Sequence, residues 1–75
     1  MSTENLIKMA NQIAQYFTSE PDQQLAVLGV RNHLQMYWTP GMRKELLAWQ
    51  TEHQGADLHP LAQAAVSGEI GRAHV

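Results

Sequence analysis

Each of the three prolines in this chain stands where one helix must stop and another can start. Proline lacks an N–H and has a fixed φ, so it fits the first turn of a helix and little else in an α-helical fold. The clearest case is Tyr37-Trp38-Thr39-Pro40-Gly41-Met42-Arg43-Lys44. Thr39 is an N-cap whose hydroxyl can accept from a free backbone N–H, and Pro40 follows at the first helical position. Ser19-Glu20-Pro21-Asp22 ends a first helix and opens a second, with Pro21 in the opening turn and Asp22 near its positive end. Pro60 opens a short fourth helix that runs to about Ser67. Between these points the apolar residues recur at helical spacing, and no period-two alternation marks a strand. The expected fold is all-α, a small bundle of three main helices plus a short C-terminal fourth, as one domain over residues 1–69.

Helix one, capped by Ser2 or Thr3, is expected to reach about Thr18. Leu6, Ala10, Ile13 and Phe17 fall on one line, with Ile7 and Ala14 on one side and Met9 and Tyr16 on the other. Lys8, Asn11, Gln12 and Gln15 take the opposite face. Helix two runs to about Trp38 and carries two apolar lines. Ala26, Val30, His33 and Tyr37 make the inner one; Val27, Leu34 and Trp38 make a second, with Arg31 at its edge. Two lines are more than one small core needs, so the second faces either another protein or helix four. Helix three should end near Gly55 in a left-handed C′ conformation, with Met42, Leu46, Trp49 and His53 on one face and Leu47 to the side. Leu61, Ala65 and Val66 are the apolar residues of helix four.

Seventy-five residues bury little core, only about 60% of the unfolded surface. Small scaffolds usually add disulfides, a metal or a partner. There is no cysteine, which excludes disulfides and cysteine-ligated metal centres and leaves a partner as the natural supplement. A net charge of −2 argues against a dedicated nucleic-acid binder. No apolar run is long enough to span a bilayer, and the polar Met1-Ser2-Thr3-Glu4-Asn5 start has no secretory pattern, so a cytoplasmic location is expected. Ile70-Gly71-Arg72-Ala73-His74-Val75 is the in-frame translation of a common sequencing-library adapter, whose next codon is a stop. Residues 70–75 are therefore expected to be a non-native tail on a chain truncated near Glu69.

No catalytic, cofactor-binding or metal-binding constellation is legible. His33, His53, His59 and His74 form no i, i+4 pair, and His33, on the inner line, is expected to be partly buried and hydrogen-bonded. Glu45 and Glu52 sit i, i+7 on a polar face, and no Gly-x-Ser-x-Gly elbow occurs. Among the aromatics, Phe17 and Tyr37 are assigned to the core. Trp38, between Arg31 and Arg43, is assigned to a contact surface, because tryptophan and arginine are enriched at interface hot spots. Arg43 and Lys44 stand in the first turn of helix three, where cations face the positive end of the macrodipole at a cost of ~0.3–1 kcal/mol each. They suggest an anionic neighbour. The expected partner-binding residues are Trp38, Arg43, Lys44, Arg31 and Leu34.

The blocks Leu6-Ile7-Lys8-Met9-Ala10-Asn11-Gln12-Ile13, Tyr16-Phe17, Pro21-Asp22, His33-Leu34, Tyr37-Trp38-Thr39-Pro40, Met42-Arg43, Leu46-Leu47 and Leu58-His59-Pro60-Leu61 resemble the delta subunit of soluble NAD-dependent formate dehydrogenase. The resemblance covers about Asn5 to Val66. Two positions depart from it: the family usually has Arg where this chain has Gly41, and often a small capping residue where it has His59, which weakens the expected cap of helix four. The resemblance implies a non-catalytic accessory subunit of a cytoplasmic complex, binding the catalytic alpha subunit and associated with its assembly and stability, with cofactor insertion a further option. It implies that the partner subunits, not this chain, carry the molybdenum or tungsten pterin guanine dinucleotide, iron–sulfur clusters and FMN that pass electrons from formate to NAD. The alternative reading is a small helical DNA-binding or regulatory domain with Arg43 and Lys44 on phosphates, against which stand the acidic balance and the sparse cations of helix three. An enzyme in its own right is the least favoured reading.

Overall fold

A computed structural model describes residues 2–67. It has four α-helices: α1 Thr3–Tyr16, α2 Gln23–Tyr37, α3 Pro40–His53 and α4 Pro60–Ser67, with a 3-10 turn at Phe17–Ser19 behind α1. No strand occurs among the described residues, and the fold is the all-α one that the punctuation predicts. The 70–75 tail lies outside the described residues.

The helix ends follow from local chemistry. The Ser2 hydroxyl accepts from the Asn5 N–H at 3.3 Å and caps α1. That helix gives way to the 3-10 turn after Tyr16, where the Thr18 hydroxyl donates to the Gln15 carbonyl at 2.7 Å and satisfies an orphan acceptor. Asp22 is the N-cap of α2, its carboxylate accepting from the N–H groups of Gln24 at 2.9 Å and Leu25 at 3.4 Å. Pro21 therefore precedes the helix instead of lying in its first turn. Thr39 caps α3 through the Met42 N–H at 3.2 Å, with Pro40 as the first helical residue. At the other end of α3, Gln54 already takes the left-handed conformation at φ 55° and Gly55 continues it at φ 71°. Gly55 has a second reason to lack a side chain: a Cβ there would lie 2.6 Å from Gln63 Cδ.

The core gathers Leu6, Ala10 and Ala14 from α1, Ala26, Val27, Val30 and Leu34 from α2, Leu46 from α3, and Leu61, Ala62 and Ala65 from α4. Trp38 and Leu58 join it from the connections. Alanines let the helices approach closely, and Phe17 packs over Gly29, where any Cβ would collide with its ring. The packing of α4 on α2 is the most extensive helix–helix contact. The line Val27, Leu34, Trp38 is thus covered from within the chain, which settles that choice for helix four.

The two aromatics before Thr39 exchange the places assigned to them. Trp38 is 5% exposed and belongs to the core; Tyr37 is 68% exposed. The sequence projection carries both residues along at 100° per residue. In the structure Tyr37 is the last helical residue and Trp38 its extended C-cap at φ −100°, ψ 145°; the indole is buried with Val27 and Leu34 of the second line, whereas Tyr37 lies past the buried part of the inner one. His33 ends the inner line half-buried, with its ring 4.7 Å from that of Tyr37; a hydrogen-bond partner, which was expected, is not found among the described residues.

Asn11 is also misplaced by the projection. It is half-buried, not on a solvated face. Its Nδ2 donates to the Asp57 carbonyl at 2.9 Å and its Oδ1 accepts from the His59 N–H at 2.8 Å. One side chain on α1 thereby pins the loop that launches α4. His59 caps that helix after all, its Nδ1 accepting from the Leu61 N–H at 3.1 Å in the tautomer that leaves Nδ1 free. Gln63 completes the clasp, its Nε2 donating to the carbonyls of Gly55 at 3.1 Å and Leu58 at 2.6 Å.

Two outcomes are expected. Ala10 is fully buried at the centre of the α1 stripe, so Ala10→Leu should overpack the core and cost ~1–3 kcal/mol in urea denaturation. Asn11→Ala should cost ~1–3 kcal/mol, from two hydrogen bonds at ~0.5–1.5 kcal/mol each, and should speed hydrogen exchange of the His59 and Leu61 amides. Unchanged exchange at those amides would show that the loop is held by packing alone.

Candidate partner-binding cleft

Where α2, α3 and α4 meet they leave a cleft of about 490 Å³. From α2 come Arg31, Leu34 and Gln35; from α3, Pro40, Gly41, Arg43, Lys44, Leu46 and Leu47; from α4, Ala65 and Val66. Leu34 and Leu46 are buried and form part of the floor, while Leu47 stays 40% exposed. Arg31 and Arg43 are half-buried and Lys44 is exposed. These three are a majority of the five lysines and arginines in the chain. Among the described residues none of them forms a salt bridge.

Four of the five residues expected to bind a partner, Arg31, Leu34, Arg43 and Lys44, therefore line one cleft. The fifth, Trp38, does not line it and is buried in the core with Val27 and Leu34. The expectation that Trp38 presents a free contact surface is corrected: it supports the α2–α3 corner from inside. The placement of two of the cations follows from Thr39 and Pro40, which fix the start of α3 and so put Arg43 at the end of its first turn and Lys44 at the start of the second. Gly41 leaves the rim open, the nearest atom to a Cβ built there being Thr39 Oγ1 at 3.9 Å.

A second surface was missed by the sequence reading. Leu25, Leu28 and Met36 are exposed and, at 100° per residue, run along the side of α2 opposite Ala26, Val30 and Leu34. Tyr37 is exposed too, but on the line of Ala26 and Val30, away from this patch. The signal was present: of the fifteen residues of α2 only Arg31 is charged, so the helix is apolar or neutral all round. A helix of that kind is normally covered on both sides.

His53 and His59 serve the fold. His53 stacks on Trp49 with centroids 4.8 Å apart and a ring nitrogen 3.0 Å from the Trp49 carbonyl; His59 is a cap. Among the described residues no group of three or more His, Cys, Asp or Glu side chains is placed to hold a metal ion, and no helix is long and apolar enough to cross a membrane. The Gln50 Oε1 atom is buried without a hydrogen-bond partner, while its Nε2 donates to the Gln63 carbonyl at 3.2 Å.

The fold and the cleft define a small all-α domain with a groove of mixed apolar and cationic character. Residues 5–66, which span all but the first two residues of α1 and the last of α4, match the family model of the NADH-dependent formate dehydrogenase delta subunit FdsD. The chain belongs to this family, and is thus a delta subunit of a formate dehydrogenase complex. No curated protein and no solved structure matches it.

The buried position of Trp38 changes what its removal should do. Trp38→Ala is expected to cost ~3–5 kcal/mol of folding stability, enough to unfold a marginal domain. Circular dichroism of the free chain checks this. A mutant that stays folded with an unchanged melting temperature would return Trp38 to the surface.

Proposed function

We propose that this chain is a non-catalytic accessory subunit in the cytoplasm, which binds the molybdopterin-containing catalytic subunit of an NAD-dependent formate dehydrogenase and aids its assembly or stability. The observation that carries the reading is the family match across all four helices. The physical character of the chain supports it. The core is small and rich in alanine, no disulfide is available, and large apolar side chains remain exposed on α2. Binding a partner would cover that surface and supply stability that the chain lacks alone. On this reading the pterin, iron–sulfur, FMN and NAD chemistry belongs to the partner subunits, and this chain contributes contacts and no reacting group.

The test is co-expression of the tagged chain with the other formate dehydrogenase subunits. The catalytic subunit should co-purify with it, and omission of the chain should lower the yield of active enzyme. Recovery of an active complex at full yield without it would overturn an assembly role. The free chain is expected to have only ~3–5 kcal/mol of stability or less in urea. In the complex it should unfold at distinctly higher denaturant. Equal midpoints, free and bound, would show that association supplies no stabilisation.

A further inference from the structure

We propose that the cleft between α2, α3 and α4 receives an acidic amphipathic segment of the partner protein. Apolar side chains of that segment rest on Leu47 and Val66, above the buried Leu34 and Leu46, and its carboxylates meet Arg31, Arg43 and Lys44. The inference rests on the accessory-subunit reading and adds the chemistry of the partner.

Charge complementarity selects the occupant. The chain has seven acidic and five basic residues, yet three of the five gather at this one groove. Arg43, in the first turn of α3, sits where the helix macrodipole repels it, a cost that an anion at the rim offsets. Half-buried guanidinium groups with apolar surroundings suit bidentate pairing with carboxylates. A nucleic acid fits less well, since no aromatic side chain lines the cleft for base stacking and the surplus of carboxylates elsewhere repels a phosphodiester backbone. A small free anion would engage the rim and leave the exposed part of Leu47 in water. An amphipathic segment satisfies rim and floor together, as helices do in apolar grooves.

The experiment uses the co-expressed complex. The double variant Arg31→Glu, Arg43→Glu is expected to bind at least ~10-fold more weakly than wild type, and to lose the decrease of affinity with salt that wild type shows. Gly41→Arg adds a cation to the open rim and is expected to tighten binding and steepen that salt dependence. Circular dichroism of each free variant confirms that it is folded. A photo-crosslinking p-benzoylphenylalanine at position 47 should attach to one segment of the partner, identified by mass spectrometry, in which Asp or Glu residues flank apolar ones. If the wild-type chain is not retained by the formate dehydrogenase subunits, the accessory reading fails and this inference with it. If wild type and the double variant are retained with equal affinity and equal salt slope, the cleft assignment alone fails. Crosslinking to a basic segment, or to nucleic acid, overturns the proposed chemistry.

Discussion

The seating of α4 on α2 is the contact on which the rest of this small fold depends. At eight residues, α4 is far below the length at which an isolated helix is stable in water. It nevertheless buries Leu61, Ala62 and Ala65 and covers the Val27, Leu34, Trp38 line of α2. Burial of each large apolar side chain contributes ~1.5–3 kcal/mol, but only if the short helix is held in place. Hydrogen bonds from outside α4 do the holding. Asn11 clamps the loop before it, and Gln50 reaches the Gln63 carbonyl. Gln63 in turn ties α4 back to the Gly55–Leu58 turn. Polar side chains at element junctions thus substitute for the disulfide that the chain cannot make.

That economy leaves surface for use. The core is filled by a few large residues spaced with alanines, so each helix has one committed face and one that is not. On α1 and α3 the outer faces carry charge. On α2 the outer face carries Leu25, Leu28 and Met36, and its only charged residue, Arg31, lies at the cleft. Depletion of charge together with exposed large side chains is the composition of an interface core. The cleft differs in kind, with an apolar floor under a cationic rim. Membership in a family of formate dehydrogenase delta subunits gives both surfaces a context, since a subunit needs contacts more than it needs chemistry.

Much of this was legible in the sequence because it is local. Thr39-Pro40 fixes the start of α3 by capping and by a set φ, whatever surrounds it. Arg43 and Lys44 were found the same way, since their place near the start of α3 is a matter of counting from Pro40. Several readings failed where the answer depends on a distant part of the chain or on a helix edge. Trp38 was assigned to a contact surface because the sequence leaves open whether the second line of α2 meets α4 or another protein, and that line is buried. His59 was judged a poor cap by residue type, yet its ring nitrogen accepts from Leu61. Asn11 was placed on a solvated face because nothing local announces a partner nearly fifty positions away.

The sequence by itself determined the four helices, the Ser2 and Thr39 caps and the burial of the Leu6–Ala10 stripe, because caps, prolines and the 3.6-residue period act over a few residues and need no partner. Only the tertiary structure decided that the second apolar line of α2 is buried along with the first. Val27, Leu34 and Trp38 are hydrophobic enough either for this core or for a partner's, so composition cannot choose. The line is buried within the chain because α4, arriving from the far end of the sequence, packs on α2.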